Sequence, residues 1–84
     1  MTRYYSKHGC VIVGSTEFSV ELDVSDDEVL IASAFVRTPK TGAMGTPFDV
    51  DTIYALFAMR NGKIIPLADY IVDEVMEFGE RDAA

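Results

Sequence analysis

The sequence has little of what site chemistry is usually built from: one cysteine and one histidine among 84 residues. A lone Cys10 cannot close an internal disulfide, and an unpaired thiol is easiest to keep in a reducing compartment, so a cytoplasmic protein is expected. Structural zinc takes four ligands and His8 and Cys10 are the only nitrogen and sulfur candidates, which leaves carboxylates to complete any metal site. Bases are also scarce, with seven against fourteen acids and a net charge of −7. That charge repels polyanions, so direct binding to nucleic acid or to an acidic membrane is not expected. No apolar run approaches the roughly 18 residues of a membrane span. The run behind Arg3 and Lys7 covers only residues 10–13, too short for a signal-peptide core.

Apolar residues make up 49% of the chain and charged residues 25%, which is ordinary globular usage and enough for one small domain over residues 1–84. Residues 17–24 alternate with period two: Phe18, Val20, Leu22 and Val24 point one way, and Glu17, Ser19, Glu21 and Asp23 the other, as in a half-buried strand. Gly14-Ser15 suits a two-residue type II′ turn and predicts a hairpin with residues 10–13. Facing numbers then sum to 29, which sets Val11 against Phe18, Cys10 against Ser19 and His8 against Glu21. Residues 29–37 are apolar on both faces, with Leu30, Ala32, Ala34 and Val36 opposite Ile31 and Phe35, and predict a central strand covered on both sides.

Residues 38–47 hold Pro39, Gly42, Gly45 and Pro47 without periodicity and predict a flexible loop. Asn61-Gly62 is a type I′ hairpin signal, favouring strands over 48–59 and 63–65. The alternative is a helix within 51–60, because Val50, Ile53, Tyr54 and Phe57 also sit at helical spacing and Asp51 suits a helix start. Over 67–78, Leu67, Ala68, Ile71, Val72, Val75, Met76 and Phe78 fill one half of a helical wheel, with Pro66 suited to the start and Gly79 to the stop. Residues 80–84 read as a frayed tail.

The expected fold is therefore α+β: an antiparallel sheet of four to five strands with one C-terminal amphipathic helix packed on one face. One helix covers one face. The apolar residues expected on the other need a second cover, either a homodimer partner or the long loop and N-terminal residues folded over.

No motif identifies a reaction, so a non-enzymatic protein without a cofactor is expected. Lys40-Thr41-Gly42 lacks the Gly-Lys-Ser/Thr order and upstream glycine of a phosphate loop. Asp49-Val50-Asp51 and Asp26-Asp27-Glu28 lack the twelve-residue spacing of a calcium loop. Charge placement is more informative. Six acids and no base lie within 17–28, and on the helix Asp69, Asp73 and Glu77 recur at i, i+4 and i+8, with Glu74 beside them. Like charges at this spacing cost a helix about 0.2–0.5 kcal/mol per pair. Two explanations compete: a solvated face that keeps a small protein soluble, or a surface complementary to a basic groove. A helical stripe holds one charge per roughly 6 Å of axis, against one per about 3.4 Å on a DNA strand. A nucleic-acid mimic therefore needs the 17–28 acids beside the stripe, or a dimer that doubles it.

Segment 48–78, FDVDTIYALFAMRNGKIIPLADYIVDEVMEF, resembles small phage or prophage accessory proteins that have a strand, an Asn-Gly turn, a short strand and an acidic C-terminal helix. Anti-CRISPR and other host-defence inhibitors are a prominent class of these, short, often acidic and acting by binding. The resemblance implies an inhibitor of a host or phage protein in the bacterial cytoplasm, with a CRISPR effector subunit as the type of target. On that view the acidic contacts are Glu17, Glu21, Asp23, Asp69, Asp73, Glu74 and Glu77. The competing expectation is a structural or assembly module that makes a homo-oligomer through an apolar sheet face.

Overall fold

Gly14, with φ at +64°, turns the chain between β1 (Tyr5–Val13) and β2 (Thr16–Val24) in the computed structural model, which describes residues 4–37 and 45–81. Val11 faces Phe18, Cys10 faces Ser19 and His8 faces Glu21, in the register expected from a two-residue turn. A polar turn leads to β3 (Val29–Arg37), where the Ser25 hydroxyl donates to the Glu28 carbonyl and accepts from the Glu28 N–H. β4 (Thr46–Pro47) then pairs with Phe35 and Val36 of β3. The five-stranded antiparallel sheet runs β4-β3-β2-β1-β7, with β7 (Glu80–Arg81) bonded to Lys7 and His8. Of the expected frayed tail, residues 80 and 81 are thus an edge strand, with the Arg81 guanidinium 4.2 Å from the Tyr5 ring centroid, and residues 82–84 lie outside the described residues. Of the expected loop, residues 38–44 lie outside the described residues, and Thr46 and Pro47 belong to the sheet.

β3 departs from the expected two-sided strand. Glu21 pairs with Ser33 but Leu22 pairs with Ile31, so Ala32 is an extra residue opposite no partner. This bulge resets the alternation. Ile31 (5% exposed) and Ala34 (3%) both face the core despite their odd and even numbers, while Leu30 and Phe35 lie on the other face, 47% and 41% exposed. The strand is therefore covered on one side. Its other face still carries apolar Leu30, Ala32 and Phe35, but these are exposed.

The stretch 48–59 is corrected as well. Its first half is a helix, α1 (Val50–Ala55), and only β5 (Phe57–Arg60) is a strand. The Asp49 side chain accepts from the Asp51 N–H at 3.3 Å and the Thr52 hydroxyl at 3.0 Å, which satisfies the first turn and favours helix where propensity alone is divided. The Asn61-Gly62 turn then forms as expected, with φ of +52° and +78°, the pair of positive values a type I′ turn needs, and joins β5 to β6 (Lys63–Pro66). β5 and β6 form a separate two-stranded ribbon.

Helix α2 (Leu67–Phe78) has the expected bounds, with Pro66 before it and Gly79 at its end. Leu67, Ala68, Ile71 and Val75 are buried against one face of the sheet, joined by Val11, Phe18, Val20, Leu22, Val24, Ile31, Ala34, Ile53 and Ala58. Burying a side chain the size of Ile71 or Leu22, both 0% exposed, contributes about 1.5–3 kcal/mol. Phe78 departs from its expected place on the apolar side, being 72% exposed. The Lys7 ammonium donates to the Met76 carbonyl, a cation on the helix C-terminus where the macrodipole favours it. Among the described residues no helix is long and apolar enough to cross a membrane.

Candidate functional site

With α2 on one face, strand alternation determines what the sheet shows on the other. β2 presents Glu17, Ser19, Glu21 and Asp23, β1 presents Ser6, His8, Cys10 and Ile12, and β3 presents Leu30, Ala32, Ser33, Phe35 and Arg37. One transverse row reads Glu80, His8, Glu21, Ser33, and the next reads Ser6, Asp23, Leu30. Side chains along one strand face stand about 7 Å apart and neighbouring strands about 4.8 Å, so Glu21, Asp23 and Glu80 share a patch on the order of 10 Å across. Asp26, Asp27 and Glu28 are exposed at the adjoining β2–β3 turn.

None of Glu17, Glu21, Asp23 and Glu80 forms an ion pair among the described residues. Arg37, beside Glu17 in the register, is the one arginine or lysine that β1, β2 and β3 place on this face. At that opposite end lies a shallow depression of about 380 Å³ bounded by Cys10, Glu17, Ser19, Phe35, Arg37 and Gly45.

The remaining acids of the expected set are in the other layer. Asp69, Asp73, Glu74 and Glu77 belong to α2, which packs on the opposite face of the sheet, so the fold does not bring them beside Glu17, Glu21 and Asp23. Two of the four are engaged: Arg60 of β5 lies 3.5 Å from Asp73 Oδ2 and 3.4 Å from Glu74 Oε1, with its guanidinium 5.3 Å from the Tyr70 ring centroid. Asp69 and Glu77 are left as unpaired exposed carboxylates among the described residues. The regular acidic stripe on the helix is thus interrupted at its centre by a base from another element.

Glu80 was missed by sequence reasoning because two residues after a helix stop carry no strand pattern of their own. A second surface was missed altogether. In the β5–β6 ribbon Phe57 faces Pro66 and Met59 faces Ile64, so these four share one side, and Phe57, Met59 and Ile64 are 68%, 69% and 71% exposed. The Asn-Gly turn fixes that grouping, but nothing in the pattern says that this side is left open.

His8 and Cys10, two apart on β1, are both exposed, and no group of three or more potential metal ligands occurs among the described residues. Comparison with protein-family models, curated proteins and solved structures finds no match.

Proposed function

We propose that this is a non-enzymatic binding protein that presents the acidic end of its open sheet face to a basic, nucleic-acid-binding surface of a host or phage protein. The observation that carries the reading is that Glu21, Asp23 and Glu80 converge on one uncovered face beside the acidic turn of Asp26, Asp27 and Glu28, without an intervening arginine or lysine. A strongly negative, rigid surface speeds encounter with a positive groove and is rejected by acidic competitors. The site of action is the bacterial cytoplasm, where the unpaired Cys10 is compatible with a reducing environment. A CRISPR effector subunit is the target class that the resemblance of segment 48–78 implies.

Within this reading the sheet acids, not the helix acids, make the main contact, since Arg60 already takes up Asp73 and Glu74. The alternative, a homo-oligomer built through the same sheet face, is less favoured. Its apolar residues, Ile12, Leu30 and Phe35, are separated by the carboxylates of β2, which two apposed copies would have to bury against each other.

The test is inhibition of target-DNA binding by CRISPR effector complexes from the native host. The triple variant Glu21→Lys, Asp23→Lys, Glu80→Lys is expected to lose inhibition, and Asp69→Lys with Glu77→Lys to retain most of it. Full inhibition by the sheet variant rejects the assigned surface, and no inhibition by the unaltered protein rejects the target class.

A further inference from the structure

His8 is the one histidine of the chain. Histidine is the side chain whose charge ordinarily changes between about pH 5 and 8, with carboxylates titrating below that range and lysine and arginine above it. The fold puts this single residue in the middle of the acidic end of the open sheet face.

Its place follows from the register. His8 on β1 is opposite Glu21 on β2 and opposite Glu80 on β7, so a carboxylate stands on each neighbouring strand, one strand spacing of about 4.8 Å away. Asp23 and Ser19 flank Glu21 along β2, and Ser6 and Cys10 flank His8 along β1. His8, Glu21, Asp23 and Glu80 are all exposed. The adjoining bases are turned away: Lys7 donates to the Met76 carbonyl on the helix side, and Arg81 stacks on Tyr5, which packs against the core there. Arg37 is on the open face, but at its other end, beside Glu17.

We propose that His8 is a proton-operated control on the docking surface, which holds a basic partner while His8 is neutral and lets it go as His8 gains a proton. The inference rests on the acidic face being the docking surface and adds its regulation. Protonation changes the net charge of the molecule only from −7 to −6. The group formed by His8 and the three carboxylates of Glu21, Asp23 and Glu80 passes from −3 to −2. Attraction at long range is thus little altered, whereas the local field at contact loses about a third of its source charge. A partner cation bridging Glu21 and Glu80 stands on the order of 5–10 Å from the imidazolium, where like charges weaken binding about two- to tenfold as water is progressively excluded.

Fluorescence anisotropy of a labelled deca-lysine peptide, titrated with the full chain at about pH 7.5 and about pH 5.5 and at one low ionic strength, tests this. The unaltered chain is expected to bind about two- to tenfold more weakly at the lower pH. His8→Gln should bind equally at both, and His8→Lys should bind at the higher pH as weakly as the unaltered chain does at the lower. Equal affinity of the unaltered chain at the two pH values overturns the proposal, and so does a His8→Gln variant that keeps the drop. The triple variant Glu21→Lys, Asp23→Lys, Glu80→Lys separates the control from the surface. If it loses the peptide while His8→Gln keeps the drop, the surface stands and the control falls. If it binds the peptide as tightly as the unaltered chain, the surface itself is rejected and the control with it.

Discussion

Gly9 in β1 and Gly79 at the end of α2 meet backbone against backbone: a Cβ on Gly9 would stand 3.2 Å from Gly79 Cα. A Cβ on Gly79 would stand 2.5 Å from both the His8 and Val75 carbonyl oxygens. The helix thus ends where it crosses β1, and the Gly79 N–H closes its last turn on Val75 at 2.8 Å. Gly79 has φ of −75°, open to any residue, so its requirement is for space, not for backbone freedom. Gly79→Ala should therefore cost about 2–4 kcal/mol, because backbone oxygens on two elements must move, and Gly9→Ala about 1 kcal/mol. Urea titration of both variants is the check. A Gly79→Ala variant within about 0.5 kcal/mol of the unaltered protein means that the helix is not seated this closely.

The bulge at Ala32 leads to a less intuitive expectation. Removing Ala32 leaves Ile31 facing the core, Ser33 facing out and Ala34 facing the core, which is regular alternation in the existing register with Leu22, Glu21 and Val20. The deletion should cost no more than about 1 kcal/mol, the local twist being the main loss. Deleting Ser19 from bulge-free β2 instead forces one half of that strand to turn its inward side chains outward, and should abolish cooperative unfolding. Comparing thermal melts of the two deletions checks this. Equal damage would mean that the extra residue holds something besides register.

What could be read in the sequence, and what could not, divides along the range of the forces involved. The β1–β2 register, the type I′ turn at Asn61-Gly62 and the bounds of α2 follow from local stereochemistry and short-range periodicity, and all three are observed. The bulge was not legible because Ala32 and Ser33 are small enough to suit either face, so the shift in alternation leaves no mark in composition. Residues 50–55 were divided between helix and strand, and a side chain outside the segment, Asp49, decided the outcome. The site was legible in kind but not in grouping. Acidic residues are countable in a sequence, but whether Glu21 lies beside Asp73 or across the molecule from it depends on which face of the sheet the helix covers. Exposure of Phe57, Met59 and Ile64 was the least legible, since an apolar side chain is read as buried until the fold runs out of elements to cover it.

The cap at Asp49 reaches further than one helix. α1 has only six residues, too few to hold together without a cap and tertiary packing, and fully buried Ile53 anchors it in the core. The next residue, Tyr54, places its hydroxyl oxygen 3.1 Å from the Ile31 N–H, where it accepts a hydrogen bond. β4 bonds only to the far end of β3, at Phe35 and Val36, and the Phe48 N–H covers the Ala34 carbonyl at 2.9 Å. The Ile31 N–H is therefore protected by a side chain that the Asp49 cap holds in place, at an edge where strands are prone to pair with other chains. Asp49→Ala should lower global stability by about 0.5–2 kcal/mol, the usual worth of a cap. It should also accelerate amide exchange at Ile31 beyond what that loss predicts, because α1 can then open without global unfolding. Tyr54→Phe should reproduce the exchange at Ile31 with little change in the helix. Hydrogen exchange followed by NMR distinguishes the two contributions, and an Ile31 amide that exchanges only by global unfolding in both variants would show that the Tyr54 hydroxyl does not guard the edge.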